Sequence, residues 1–282
     1  METRGEATAR RIAELLLPRR DRERLARVSL PDGGHGYDAF GLHRAWVAAS
    51  LAIGRLMYDR YFRVESIGAE HIPPTGAAIL AANHAGMLPL DAVMLHLNVL
   101  RHTEPPRLGR PVADWFVPLL PFVSTIYART GVVSGSRRNV GRLLESGALV
   151  ELFPEGVAGI GKPFRERYHL QQWTVGHAEL AIRHRAPVVP VAIVGAEEQW
   201  IELLRLRRVH LFGAPYLPVP LLLPPLPVRY HILYGEPLVL HEGRAAADAD
   251  DAAIVEEAAA RVRRAVEALL ARGLRARRGI FR

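Results

Sequence analysis

The sequence predicts an α/β fold, with a central, largely parallel sheet flanked by helices and an N-terminal helical region ahead of it. Apolar, strand-like runs alternate along the chain with stretches of helical periodicity, the pattern of successive βα units. With 282 residues, 49% of them hydrophobic, the chain has room for one α/β domain with terminal additions and enough apolar side chains for a sizeable core.

Taken in order, Ile12 to Leu17 reads as part of a short amphipathic helix. Tyr37 to Tyr61 reads as a longer one, with Trp46, Ile53 and Leu56 at roughly helical spacing. "YFRVESIG" is a strand, Ile72-Pro73-Pro74 a turn, and "AAILAAN" a buried strand. Asp91 to Arg101 is a helix, "TGVVSGS" a short strand or turn, and Arg138 to Ser146 a helix. "ALVELFPEG" is a strand ending in a loop, Gln172 to His184 a helix, "PVVPVAIVG" and "VRYHILYGEPL" strands, and Ala249 to Ala271 a closing helix. This divides the chain into an N-terminal helical region (1–61), an α/β domain (62–240) and a C-terminal helix with a basic tail (241–282). Leu211 to Val228 is apolar yet holds six prolines. Proline removes backbone donors, so this segment is neither a helix nor a central strand.

Composition narrows the chemistry. The chain has no cysteine, which excludes disulfides, thiolate metal sites and a cysteine nucleophile. Net charge is +8, carried by arginine, with Lys162 the one lysine in the sequence. A basic surface suits anionic lipid, phosphorylated ligands or nucleic acid, but no nucleic-acid motif is present, so nucleic acid is not expected as a partner. No His, Asp or Glu cluster has metal-ligand spacing, and there is no Gly-x-Ser-x-Gly elbow. The N-terminus lacks the apolar core of a signal peptide, and no stretch reads as a spanning helix. The expectation is a cytoplasmic protein, soluble or peripheral on the inner face of the cell membrane.

"LAANHAGMLPLD", Leu80 to Asp91, carries the sharpest signal. His84 stands where a buried strand ends, the edge at which open α/β sheets place ligands. A neutral imidazole there takes a proton from a hydroxyl if a partner holds its other nitrogen. Asp91 supplies that partner if Gly86 and Pro89 shape a loop that folds the chain back. In one continuous helix the two side chains would stand about 10 Å apart. The alternative is that His84 caps a strand and Asp91 complements a helix N-terminus.

"NHAGMLPLD" resembles the first motif of the glycerolipid acyltransferases, the lysophospholipid acyltransferase family, and three more motifs follow in the family's order. "GVVSGSR", with Gly131 and Arg137, is similar to the second; "LFPEG", Leu152 to Gly156, to the third; "APVVPVAIVG", with Pro190, to the fourth. Together they span Val64 to about Leu240. The resemblance implies that fold and an acyl transfer from acyl-CoA or acyl carrier protein to a hydroxyl of a glycerolipid or lysophospholipid. No bound cofactor, metal or covalent enzyme intermediate is involved. His84 is then the general base and Asp91 its orienting partner. Arg137 binds acceptor phosphate or another polar head, and Asn83, Gly86, Gly131, Phe153, Pro154, Glu155 and Gly156 form the substrate site. Backbone donors near Gly86 or Gly156 face the developing oxyanion. Two departures stand out. Six residues separate His84 from Asp91 where the family usually has four, and Val157-Ala158 replace the usual Thr-Arg after Gly156. The longer spacing resembles a divergent branch found among actinobacterial proteins and some relatives of monoacylglycerol acyltransferases. The missing arginine argues against a lysophosphatidic acid acceptor. The rival readings are a catalytically silent lipid-binding protein on the same fold and a scaffold recruited to membranes. A hydrogen bond between His84 and Asp91 is what separates them from the enzyme.

"GVAGIGKP", Gly156 to Pro163, nearly spells a phosphate-binding P-loop but has Pro163 where Ser or Thr would hold magnesium. Lys162 is either a ligand to a phosphate of CoA or of the acceptor, or a solvated loop lysine. The proline-rich segment and the last stretch, where eight arginines face one acid between Arg261 and Arg282, are expected to dock on an anionic membrane surface.

Overall fold

The structure, a computed structural model, describes all residues except 1–2, 86–87, 115–116, 118–121, 161, 207–216 and 223, with the backbone alone at 202–206, 217–218 and 220. The N-terminal region folds as α1 (Arg4–Leu16), α2 (Arg19–Arg27) and α3 (Arg44–Leu56). Then come β1 (Glu65–Ile67), β2 (Ala78–Ala82), α4 (Leu90–His102), β3 (Gly109–Ala113), α5 (Val123–Thr130), β4 (Val133–Ser134), α6 (Arg137–Glu145) and β5 (Leu149–Leu152). A short turn of helix, α7 (Val157–Ile160), leads to α8 (Gly176–Arg183), β6 (Val188–Val194), β7 (Glu202–Leu206), β8 (Leu217–Pro220), β9 (His231–Tyr234) and α9 (Ala252–Ala276).

Seven strands form one sheet in the order β1-β9-β6-β2-β5-β3-β4. Every pairing is parallel except β6 with β9. The two central strands, β2 and β6, are buried throughout, which is why they read as unbroken apolar runs rather than alternating ones. Along β2, Leu80 faces one core with α3 and α4, while Ile79 and Ala81 face the other with α6, α8 and α9. The closing helix α9 is part of this second layer. A Cβ added at Gly273 would lie 2.9 Å from side-chain carbons of both Leu233 and Val194, so that turn approaches the sheet as closely as only glycine permits.

Several boundaries differ from the sequence reading. Residues 37–43 are not helical. The Asp38 carboxylate accepts the backbone N–H of Phe40 and Leu42, which offers the chain a turn in place of a helix, and Gly41 follows at φ +89°. The helix expected from Gln172 begins only at Gly176, because Thr174 N–H is bonded to the Pro154 carbonyl across the neighbouring loop. The closing helix starts at Ala252, where Asp251 caps the backbone N–H of Ala253 and Ile254. Of the proline-rich segment, Leu217–Pro220 pairs with β7 in a separate two-stranded antiparallel sheet. That is where proline is tolerated in a strand. Residues 211–216 and 223 lie outside the described residues.

Candidate active site

Strands β2, β5 and β6 are adjacent and parallel, so their C-terminal ends lie side by side. The chain leaves them as Asn83-His84, Phe153-Pro154-Glu155-Gly156 and Gly195 to Glu197. Asn83 is fully buried and extends the sheet with its side chain. Its amide oxygen accepts Ile193 N–H at 2.7 Å, and its NH₂ donates to the Ile193 carbonyl at 3.1 Å and to Glu197 at 3.2 Å. This fixes the point at which His84 leaves the strand.

Helix α4 begins with Pro89 in the capping position and Asp91 in its first turn. The loop brings the fully buried Asp91 back to His84, whose Nδ1–H donates to Asp91 Oδ2 at 2.7 Å. The same oxygen accepts Ala85 N–H at 2.8 Å, and Oδ1 accepts Ala92 N–H at 2.8 Å. An ionised carboxylate only accepts hydrogen bonds, so the imidazole carries its proton on Nδ1 and Nε2 is left as the base. Among the described residues nothing is hydrogen-bonded to Nε2. The Phe153 ring lies over the imidazole, centroids 4.4 Å apart. Burial opposes the charged form of His84, but the charge and hydrogen bond of Asp91, with further help from Glu155 and Asp114, outweigh it and raise the imidazole pKa. This contribution to stability is complete below the unfolded-state pKa and is lost as pH rises through the raised folded-state value.

Glu155 sits under the same strand end. Its carboxylate accepts His84 N–H at 3.1 Å and Gln171 N–H at 2.8 Å, and it pairs with Lys162 at 3.0 Å. Lys162 is therefore not a solvated loop lysine. Its side chain is 4% exposed and its ammonium lies between Glu155 and Glu197, 3.0 Å from each. Nor is its charge open to a phosphate in this structure. Gly159 of the P-loop-like stretch serves packing: a Cβ there would lie 3.0 Å from the His84 carbonyl oxygen and 3.1 Å from its Cβ. Gly156 takes φ +53°, and its N–H is bonded to the Phe153 carbonyl, so this donor is not free for an oxyanion. The Pro154 carbonyl holds Thr174.

Two residues of the second motif stand apart from this constellation. Gly131 ends α5 at φ +97°, where a Cβ would meet Leu42 at 2.8 Å. Arg137 opens α6, is 71% exposed and pairs with Glu179 at 2.6 Å. Gly86 lies outside the described residues. The sequence reading missed Asp114, whose charge reaches His84 from the end of β3, and Glu197. Asp114 follows directly on β3 and Glu197 comes three residues after β6, both strands ending at this edge, a position that was the available signal. Among the described residues no three His, Asp or Glu side chains gather as a metal site.

Residues 63–194 match the family model described as Acyltransferase. An uncharacterized protein of Mycobacterium tuberculosis is 37% identical over 262 residues, covering 88% of this chain and 72% of that one. The human protein named DGAT1/2-independent enzyme synthesizing storage lipids is 28% identical over 240 residues, covering 81% and 68%. In fold, the chain is similar to the crystal structure of the 1-acyl-sn-glycerophosphate acyltransferase PlsC from Thermotoga maritima, with TM-score 0.53, 18% identity and 84% and 83% of the two chains covered. On the matching family model and the 37% identical mycobacterial relative, this chain belongs to the glycerolipid acyltransferase family.

Proposed function

We propose that the protein moves a fatty acyl group from acyl-CoA or acyl carrier protein directly to a hydroxyl of a glycerolipid, with His84 as general base. The observation that carries this is the 2.7 Å bond from His84 to buried Asp91: the longer spacing still brings the two groups together, which counts against a silent binding protein. Nε2 takes the acceptor proton as the oxygen attacks the thioester carbonyl. The tetrahedral intermediate collapses, the C–S bond breaks, and the imidazolium returns the proton to the departing thiolate. Asp91 holds the tautomer and stabilises the imidazolium.

The acceptor we assign is a phosphate-free glyceride, a mono- or diacylglycerol. Val157-Ala158 replace the Thr-Arg of the third motif, and both Arg137 and Lys162 are paired with carboxylates. The name of the human relative, an enzyme synthesizing storage lipids, points the same way. The test is mass spectrometry of products after offering oleoyl-CoA, or oleoyl acyl carrier protein, with monoacylglycerol, diacylglycerol and a panel of lysophospholipids. The expected result is a new glyceride ester. Acylation of lysophosphatidic acid alone would overturn the acceptor assignment, and no ester product with any donor would overturn the activity.

Such substrates require access to lipid, and the described residues include large apolar side chains left exposed. Leu88 lies in the loop between β2 and α4, Val93 in the first turns of α4, and Phe122 ahead of α5; all are exposed. Ile53 and Leu56 end α3, whose Gly54 packs on Val93, and exposed Leu15 and Leu16 end α1 beside Arg55. Leu221 and Leu222 follow β8, each about half exposed, with Leu221 N–H bonded to the carbonyl of Ile201, the residue ahead of β7. Exposed apolar side chains in these places suit an interaction surface, and exposed Arg275 and Arg278 at the C-terminus add the charge that anionic headgroups attract. No described helix is long and apolar enough to cross a membrane. The protein is expected to sediment with anionic liposomes, less so as salt rises and less again in Leu221→Ser/Leu222→Ser. Wild-type protein that stays in the supernatant at low salt would rule this surface out as a membrane face.

A further inference from the structure

Resting on the acyl-transfer reading, we infer that Lys162 is a positioning residue of the catalytic centre: its buried ammonium, shared by Glu155 and Glu197, locks the 153–171 loop onto the strand end that presents His84. The partners of the two carboxylates fall into two groups. Asn83 and His84 N–H belong to the end of β2; Tyr168 N–H, Gln171 N–H and Lys162 itself belong to the loop. The bridge therefore joins the loop to the two residues at which the catalytic strand ends. The loop in turn touches the imidazole. Phe153 lies over its ring, and Gly159 packs against the His84 backbone and Cβ as closely as glycine allows.

Chemistry dictates a cation here. Two carboxylates buried within reach of one point repel each other and lose hydration, and a single ammonium with three donors satisfies both. A phosphate would have to displace one of them in a site closed to water. In the stretch that resembles a P-loop, Gly159 thus packs closely on His84 and the lysine is buried against two carboxylates. Its contribution to rate comes through His84, since a shift of about 1 Å at a reacting group costs roughly 10²-fold. The other charges near the bridge are His84 with Asp91 on one side, Asp114, whose carboxylate oxygen lies 3.4 Å from where a Cβ of Gly156 would stand, and Glu198 with Arg167 and Arg277 on the other.

The test compares Lys162→Met, Lys162→Arg and the double variant Lys162→Met/Glu197→Gln with wild type. Turnover is read with oleoyl-CoA and the acceptors the panel identifies, and thermal unfolding between pH 5 and pH 8. Lys162→Met is expected to lose about 10²-fold in kcat with acceptor KM within about twofold, and Lys162→Arg to keep more of the rate. In Lys162→Met the two carboxylates must share a proton when folded but not when unfolded. Its Tm is therefore expected to fall relative to wild type as pH rises from 5 to 8. The double variant removes one carboxylate and is expected to lose that pH dependence and regain about tenfold in kcat. A Lys162→Met protein with wild-type kcat, or with kcat kept and KM raised only for phosphate-bearing acceptors, would overturn the proposal. So would a double variant no better than the single one. The unfolding series needs no substrate, so it judges the bridge even if the acyl-transfer reading fails.

Discussion

Asp91→Asn is expected to lose on the order of 10⁴ in turnover, the size a tautomer error costs in a Ser-His-Asp triad, while remaining folded. Asp91 receives three N–H donors, two on Oδ2 and one on Oδ1. An asparagine cannot accept all three. With its oxygen at the Oδ2 position, its NH₂ faces Ala92 N–H, donor against donor. Turned the other way, the NH₂ faces Ala85 N–H and drives the His84 proton to Nε2, the nitrogen that must act as the base. The substitution also removes the main charge that raises the imidazole pKa. The acid limb of residual kcat/KM should therefore move to lower pH than in wild type. Circular dichroism and a pH–rate series check both parts. Unchanged turnover and an unmoved limb would reduce Asp91 to a carboxylate at a helix start.

What was legible in the sequence was local. The apolar run ending at Asn83-His84, and Pro89 ahead of Asp91, placed a strand end, a loop and a helix start where the structure has them. The unbroken apolar character of β2 and β6 follows from burial on both faces. Strand β3 was not legible, because "GRPVA" holds a glycine and a proline, which strands disfavour, beside an arginine, each with a contact distant in sequence. Gly109 leaves room for Glu151, since a Cβ there would lie 1.7 Å from its carboxylate oxygen. Arg110 forms a buried pair with Asp38 at 2.5 Å, and Pro111 lies in the pairing with β5. Lys162 misled for the same reason. A lone lysine in a glycine-rich loop reads as solvated or as a phosphate ligand, and nothing nearby in sequence says otherwise. Its burial is decided by Glu197, 35 residues further on at the end of another strand. The second-motif residues Gly131 and Arg137 were legible as a motif, but their positions, a helix end and an exposed ion pair, depend on packing that the motif does not encode.

The central claim is that His84 removes the acceptor proton. In wild type the base must be neutral, and its pKa is raised by Asp91. The expected kcat/KM therefore rises with pH through a value above the ordinary histidine pKa of about 6.5 and is lost below it. His84→Ala removes Nε2 but leaves the strand, the Glu155 bond to the backbone N–H at residue 84 and the Lys162 bridge in place, so the protein should fold. Loss of a general base costs about 10²–10⁴ in rate. The most direct measurement is the turnover of folded His84→Ala with oleoyl-CoA and the preferred acceptor across this pH range. A loss of that size, with no acid limb left in the residual rate, is the predicted result. Wild-type turnover by the folded variant, with the limb intact, would contradict it.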